Sequence, residues 1–260
     1  MESFQEISVP SSLDGSMEPS LLWLPEGEIK ALVVGLHTWS ADRFNQQKSM
    51  KPYCEARGWA LLLPEFRGPN LVSNPRAIEA GGSDLARRDI VDATRHVLEH
   101  HIPQHKAQPI PVFLVGGSGG GHMSLMVAAR EDFPWSAISS WCPITDLADW
   151  HCENPNYAPH IAAVCGGTPD DPAAARQYHE RSPIHYAAGL ARHTLQLAHG
   201  RHDASVPYTH GYKMSQAIEQ LAPERFYFYL FNGTHELRLR DAFEFFDTVT
   251  PKTAAVELTG

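Results

Sequence analysis

Residues 112–124 read VFLVGGSGGGHMS, a short apolar run, one serine bracketed by five glycines, and then a pattern that continues as a helix. Residues 116–120 fit G-x-S-x-G, in which a strand turns sharply into a helix and lifts a serine hydroxyl clear of the backbone. Glycines flank the serine because side chains there would collide across the tight turn. A serine in this place can act as a nucleophile, and the N–H of Gly119, at the start of the helix, can donate to a developing oxyanion. The alternative is a glycine-rich turn that only saves space or binds a phosphate. A serine nucleophile needs a base, and the base needs an acid to orient it. Downstream the chain offers HGRHDASVP at 199–207, with Asp203, and NGTHE at 232–236, with His235. Each follows an apolar run, so all three residues fall at strand ends in the order Ser, Asp, His.

Fifteen histidines compete for the role of base. His122 lies one helical turn beyond Ser118 and points along the helix, as a packed or solvent-facing residue. His100, His101 and His105 cluster at a helix end, where polar and cationic residues are common. His199, His202 and Asp203 imitate a metal cluster, but His202 is read as lining the loop that holds Asp203, and no metal site is assigned. Asp146 is expected to be a turn or cap residue. Arg67 is expected in a buried hydrogen-bond network, with a contact to a substrate carboxylate as the alternative.

The elements that must position these residues follow from hydrophobic periodicity. ALVVGL (31–36) and WALLLP (59–64) are continuous apolar runs, the pattern of strands covered on both faces. Residues 83–101 place Leu85, Ile90, Val91, Thr94, Val97 and Leu98 on one helical stripe, capped by Ser83 or Asp84. Strand 112–116, helix 119–130, strand 136–141, strand 194–199, helix 208–221, strand 226–231 and helix 237–249 follow. Segments 4–9 and 18–24 are expected to add antiparallel edge strands. Residues 143–183 are rich in Pro, Asn and Gly and show little periodicity. The alternation predicts an α/β fold, with a mostly parallel sheet and helices on both faces. No repeat, low-complexity run or linker divides the chain, so residues 1–260 are expected to form a single domain.

Composition excludes some classes of function. The 260 residues are 43% hydrophobic and 20% charged, with a formal net charge of −9. That balance argues against nucleic-acid or anionic-membrane binding, which call for basic surfaces. Cys54, Cys142, Cys152 and Cys165 have no C-x-x-C spacing and read as reduced thiols, a bridge within 142–165 being the alternative. The N-terminus lacks the basic and apolar regions of a signal peptide, and no apolar run reaches the roughly 20 residues of a membrane span. If Met1 is the native start, a cytoplasmic protein is expected. Oligomeric state is open.

Taken together, LLPEFRG (62–68), GGSGGG (116–121), CPITDLADW (142–150), ERSPIHYAAGL (180–190), HGRHDASVP and NGTHE resemble, in order, the catalytic domain of the prolyl oligopeptidase branch of the α/β-hydrolases. The resemblance covers most of residues 12–249 and implies Ser118 as nucleophile, Asp203 as acid, His235 as base and the Gly119 N–H as one oxyanion donor. It also implies a short cap-like insertion, 143–183, after the sixth strand. Only a hairpin segment precedes residue 30, so the gating propeller of the peptidases is expected to be missing, as in free-standing esterase-like members. Where relatives tend to carry His-Gly-Gly, this chain has LHTWSAD (36–42), so the second donor is expected from Thr38 or Trp39. Trp39, Trp141 and Trp150 are expected around the substrate, a packed aromatic wall being the equal alternative, and the insertion is expected to form one wall of the pocket. The function so implied is hydrolysis of a small-molecule carboxylic ester through an acyl-enzyme, with no cofactor. The alternatives are a peptidase or aminopeptidase of the same branch, and a non-catalytic binding protein with this fold.

Overall fold

The computed structural model describes residues 3–250. Eight strands form one sheet: β1 (Gln5–Pro10), β2 (Met17–Trp23), β3 (Ala31–Leu36), β4 (Trp59–Pro64), β5 (Val112–Gly117), β6 (Ala137–Trp141), β7 (Leu195–Gly200) and β8 (Phe226–Phe231), in the order β1-β2-β4-β3-β5-β6-β7-β8. Strands β3 to β8 run parallel, while β1 and β2 pair antiparallel and attach to β4. The helices are α1 (Gln47–Glu55), α2 (Asp84–His100), α3 (Gly119–Arg130), α4 (Leu147–Glu153), α5 (Ala158–Cys165), α6 (Pro172–Glu180), α7 (Ala187–Leu190), α8 (Thr209–Glu219) and α9 (Leu239–Val249).

The unbroken apolar runs have their explanation in the two faces of the sheet. Along β3, Leu32, Val34 and Leu36 belong to one buried apolar cluster with Ile90 and Val97 of α2, Leu125 of α3 and, further along the sheet, Met214 of α8. Ala31 and Val33 point the other way, toward Met50 and Cys54 of α1 and Phe243 and Phe246 of α9. Both faces are dry, so alternation vanishes from the sequence, as it must in a doubly covered parallel sheet. Ser83 caps α2 by accepting the Ala86 N–H.

The segment 143–183 is more ordered than its composition suggests. It folds into α4, α5 and α6, each nine residues or fewer. Pro-led or Asp-capped starts and the left-handed Gly166 ending α5 replace the long hydrophobic stripe that would announce a helix. Asp146 accepts the Ala148 and Asp149 N–H groups as the cap of α4. These helices build a third apolar cluster from Ile144, Leu147, Trp150, Ile161 and Val164, with Trp39 inserted into it. Among the described residues no helix is long and apolar enough to cross a membrane.

Candidate active site

The turn from β5 into α3 holds Ser118 at φ 57°, ψ −122°, a conformation that costs a non-glycine residue about 1–3 kcal/mol. The surroundings enforce it: the Ser118 N–H donates to the Trp141 carbonyl at 2.8 Å, and the Ser118 carbonyl accepts the His122 N–H at 2.9 Å. The glycines answer to close approach rather than to dihedral freedom. A Cβ on Gly116 would lie 2.3 Å from the Gly120 carbonyl, and one on Gly119 would lie 2.3 Å from the Trp39 backbone nitrogen.

Asp203 and His235 come from the loops after β7 and β8, which are stitched together by Arg201 N–H to Phe231 O (2.9 Å) and His202 N–H to Gly233 O (2.9 Å). His235 Nδ1 lies 2.6 Å from Asp203 Oδ2, while Asp203 Oδ1 accepts the Ser205 and Val206 N–H groups at 2.8 and 2.9 Å. The Asp203 side chain is fully buried and that of His235 is partly exposed. Burial pushes the Asp203 carboxyl up, but hydrogen bonds from His199, His235 and Val206 outweigh it and hold the group well below the usual carboxylate range. Asp203 is therefore held as a carboxylate near neutral pH, and His235 is presented with Nδ1 as donor and Nε2 left to accept.

Ser118 and His235 open into one pocket of about 190 Å³, walled by Thr38, Cys142, Tyr157, Ser205, Glu236 and Leu237. A larger cavity of about 500 Å³, beside Arg192, Thr194 and Arg225, lies at the opposite ends of β7 and β8, remote from Ser118. Chemistry in a parallel sheet gathers at the carboxyl ends of the strands, so the smaller pocket is the candidate site.

Several sequence expectations are corrected here. Trp141 is fully buried, with Nε1 donating to Ser139 Oγ and its ring against Phe231. Trp150 is buried too, with Nε1 donating to the Ser205 carbonyl. The Trp39 ring is buried edge-on against Trp150 at 5.0 Å. All three are packing residues, and the aromatic that reaches the pocket is Tyr157, which rests on Trp150. Of the two oxyanion candidates in the 38–39 loop, the Thr38 N–H already donates to Asn45 Oδ1 at 3.2 Å. The Trp39 N–H has no acceptor among the described residues and lies against Gly119, so it is the better-placed donor.

The competing histidines find other partners. His122 is buried, with Nε2 2.7 Å from the Arg181 carbonyl, and His202 turns away to Asn232. Cys142, His199 and Asp203 bring donor atoms within 4.8 Å of one another. Those atoms are already spent on internal hydrogen bonds: Cys142 Sγ to the Glu236 carbonyl, His199 Nε2 to the Val206 carbonyl, and Asp203 to His235. The cluster is support for Asp203 rather than a set of metal ligands. All four cysteines are free, and burial pushes the Cys142 thiol up to about 12, so it stays protonated. Cys142, Ser205 and Leu237 went unread in the sequence, although one follows the end of β6 and the others stand two residues beyond Asp203 and His235.

The chain is similar to several known proteins. The chain is 25% identical over 205 residues to the acylamino-acid-releasing enzyme of Arabidopsis thaliana, covering 75% of this chain and 26% of that protein. The acylaminoacyl peptidase of Pyrococcus horikoshii superposes with a TM-score of 0.75 at 18% identity, over 96% of this chain and 42% of its own. Carboxyl esterase 2 of the fungus Tuber melanosporum superposes with a TM-score of 0.66 at 16% identity, over 95% of this chain and 83% of its own. The chain thus spans about a quarter of the plant enzyme and under half of the archaeal one. The fold is that of the α/β-hydrolases. With residues 47–242 matching the model of the prolyl oligopeptidase family, the chain belongs to that family, a family of serine hydrolases.

Proposed function

We propose that the chain is a serine hydrolase that cleaves carboxylic esters with small acyl groups. The observation that carries this reading is the 2.6 Å contact of His235 Nδ1 with a buried, ionised Asp203, opening on the pocket that holds the strained Ser118. His235 Nε2 takes the proton of Ser118 as Oγ bonds to the ester carbonyl carbon. The N–H groups of Gly119 and Trp39 receive the oxyanion, each worth roughly 3–4 kcal/mol to the transition state when well placed. The C–O bond to the alcohol then breaks, and the leaving oxygen takes the proton from His235. Water, deprotonated by the same imidazole, attacks the acyl carbon; the bond to Ser118 Oγ breaks, Oγ takes the proton back from His235, and the acid leaves. A pocket of about 190 Å³ is below the ~300–1,000 Å³ of common ligand sites, which favours short acyl groups. The likeness to a carboxyl esterase over most of that protein's length supports the same reading.

A second reading is a peptidase. It draws on the names of two relatives and on Glu236, a carboxylate at the pocket that could meet a substrate amine. Glu236 is already held by Arg238 at 2.9 Å, which weakens its claim. The test is p-nitrophenyl acetate, butyrate and octanoate beside alanine and glycyl-proline p-nitroanilides, with wild type and Ser118→Ala. Ester turnover falling from acetate or butyrate to octanoate and lost in the variant is expected. Anilide turnover in place of ester turnover would make the chain a peptidase. Near-wild-type ester turnover by Ser118→Ala, or a folded protein that no serine-directed phosphonate labels, would sink the hydrolytic mechanism.

The state of Asp203 fixes the shape of the pH profile. Its folded value lies below its unfolded one, so its contribution is present above the ordinary carboxylate range and is lost only as pH falls well below it. Asp203 should therefore add no proton to the acid limb of log kcat/KM across the ordinary carboxylate range, and a limb that steepens there would show that Asp203 titrates in it.

A further inference from the structure

We infer that His199 is a positioning residue for Asp203, and that its Nε2–H sets how strongly Asp203 holds His235. The inference rests on the serine hydrolase reading above and assigns a role to a histidine outside the three residues that perform it. His199 belongs to β7, four residues before Asp203, and its side chain is fully buried. Nε2 faces two oxygens, the Val206 carbonyl at 2.9 Å and Asp203 Oδ2 at 3.3 Å. Neither can donate, so Nε2 carries the hydrogen. Nδ1 has no partner among the described residues and is pressed against Gly211, where a Cβ would lie 2.7 Å away. The ring is therefore locked with its one donor shared between the Val206 carbonyl, the nearer partner, and the Asp203 carboxylate.

The consequence lies in which oxygen it shares. His235 Nδ1 uses the same Oδ2, so two imidazoles divide one carboxylate oxygen, one facing the pocket and one sealed behind it. Val206 closes the arrangement, donating its N–H to Asp203 Oδ1 and accepting from His199 with its carbonyl. Removing the rear donor leaves more charge on Oδ2 for His235, and a stronger partner favours the imidazolium. The acid limb should then move to higher pH. The sign is the same whether His199 is neutral or cationic, since losing a nearby cation also favours the imidazolium. The other titratable groups near this pair are Cys142 beyond β6, His210 of α8 with its partner Glu153 at 2.9 Å, and the Glu236–Arg238 pair; of these His210 feels the charge of His199 directly, so its resonance is followed in the same titration.

The experiment compares wild type with His199→Leu, His199→Asn and His199→Gln, on protein shown to be folded by circular dichroism. Two readouts are taken against pH: the rate at which a fluorophosphonate labels Ser118, and the NMR titration of the His235 imidazole. Gln can place an amide donor where Nε2–H stands, so it should keep both profiles within about 0.2 units of wild type. Leu removes the donor and Asn cannot reach, and each should shift both profiles up by roughly 0.5–1 unit. If Leu does not fold, Asn against Gln carries the comparison. A folded His199→Leu or His199→Asn protein with the wild-type His235 titration would overturn the inference, since a merely structural histidine would lower stability without moving it. Absence of labelling at every pH, with the NMR shift present, would overturn the hydrolase reading and leave the role of His199 standing.

Discussion

Replacing His235 by alanine should lower kcat for the best ester substrate by about 10⁶, with far-ultraviolet circular dichroism unchanged. The size follows from the chemistry, because an unassisted serine hydroxyl is almost wholly protonated at neutral pH and, among the described residues, His235 is the only histidine lining the pocket with Ser118. Of the other histidines near the site, His122 is sealed against Arg181 and His199 lies behind Asp203. Asp203→Asn should cost less, about 10⁴, and for a different reason. Oδ1 accepts two backbone N–H groups, so an asparagine would keep its oxygen there and turn its NH2 toward His235 Nδ1. His235 would then accept at Nδ1 and carry its hydrogen on Nε2, the tautomer that cannot take a proton from Ser118. Because the three act as one unit, Ser118→Ala combined with His235→Ala should be no slower than either alone. Steady-state kinetics on the purified variants measures all of this. A His235→Ala protein that keeps a hundredth of wild-type kcat would mean that another group serves as base.

The strands and the three strand-end residues were legible in the sequence because each rests on local physics. Residues covered on both faces must be apolar without interruption, and 31–36 and 59–64 emerge with the expected bounds, as does the half-exposed edge strand 226–231. The elbow is similarly local, since its glycines answer to contacts within one turn and with the neighbouring loop. What escaped depends on distant partners. The three tryptophans have the composition of a binding surface, and only the packing of α4 and α5 on the 38–39 loop shows that Trp39 and Trp150 face each other. Helix α1 escaped because Pro52 lies inside it and only Met50 and Cys54 of its nine residues are buried. His199 escaped for the opposite reason. Its motif was noticed, but which of three neighbouring polar residues turns inward is decided by the contact with Gly211.

Arg67→Met should destabilise the protein by about 3–5 kcal/mol near pH 7, measured by urea denaturation, and should lower kcat in whatever remains folded. The sequence places Arg67 in a buried network, and the structure shows what it collects. Its fully buried guanidinium contacts Asp89 at 2.5 Å, Asp14 and Glu79 at 2.8 Å, and Glu18 at 3.3 Å, residues drawn from the first hairpin, the turn before α2, and α2 itself. Asp89 is as deeply buried as Arg67, and burial already pushes its carboxyl up against the opposing pull of the guanidinium. Methionine fills much of the volume but leaves that carboxylate without a counter-charge, so removing one partner costs more than the pair contributes. In the variant the folded value of Asp89 rises further, so the penalty grows as pH climbs above the ordinary carboxylate range. Asp14 and Glu79, which Arg67 holds low, lose their contribution only below the ordinary carboxylate range, so the narrowing of the gap to wild type as pH falls toward 4 comes from Asp89 and continues through Asp14 and Glu79 at lower pH. Arg67→Met with Asp89→Asn should recover at least 1 kcal/mol at pH 7, because the amide needs no counter-charge. The effect on kcat follows from the turn that Arg67 anchors. Phe66 and Arg67 both have positive φ, the Phe66 ring stacks on His37 at 3.8 Å, and the Asn70 N–H donates to the Trp39 carbonyl at 2.8 Å. That turn fixes the 37–39 backbone, which carries the proposed second oxyanion donor, so loosening it should reduce kcat more than it raises KM. A variant with wild-type stability at pH 7 would show that the network is dispensable. One that is destabilised with kcat intact would detach the turn from the oxyanion loop.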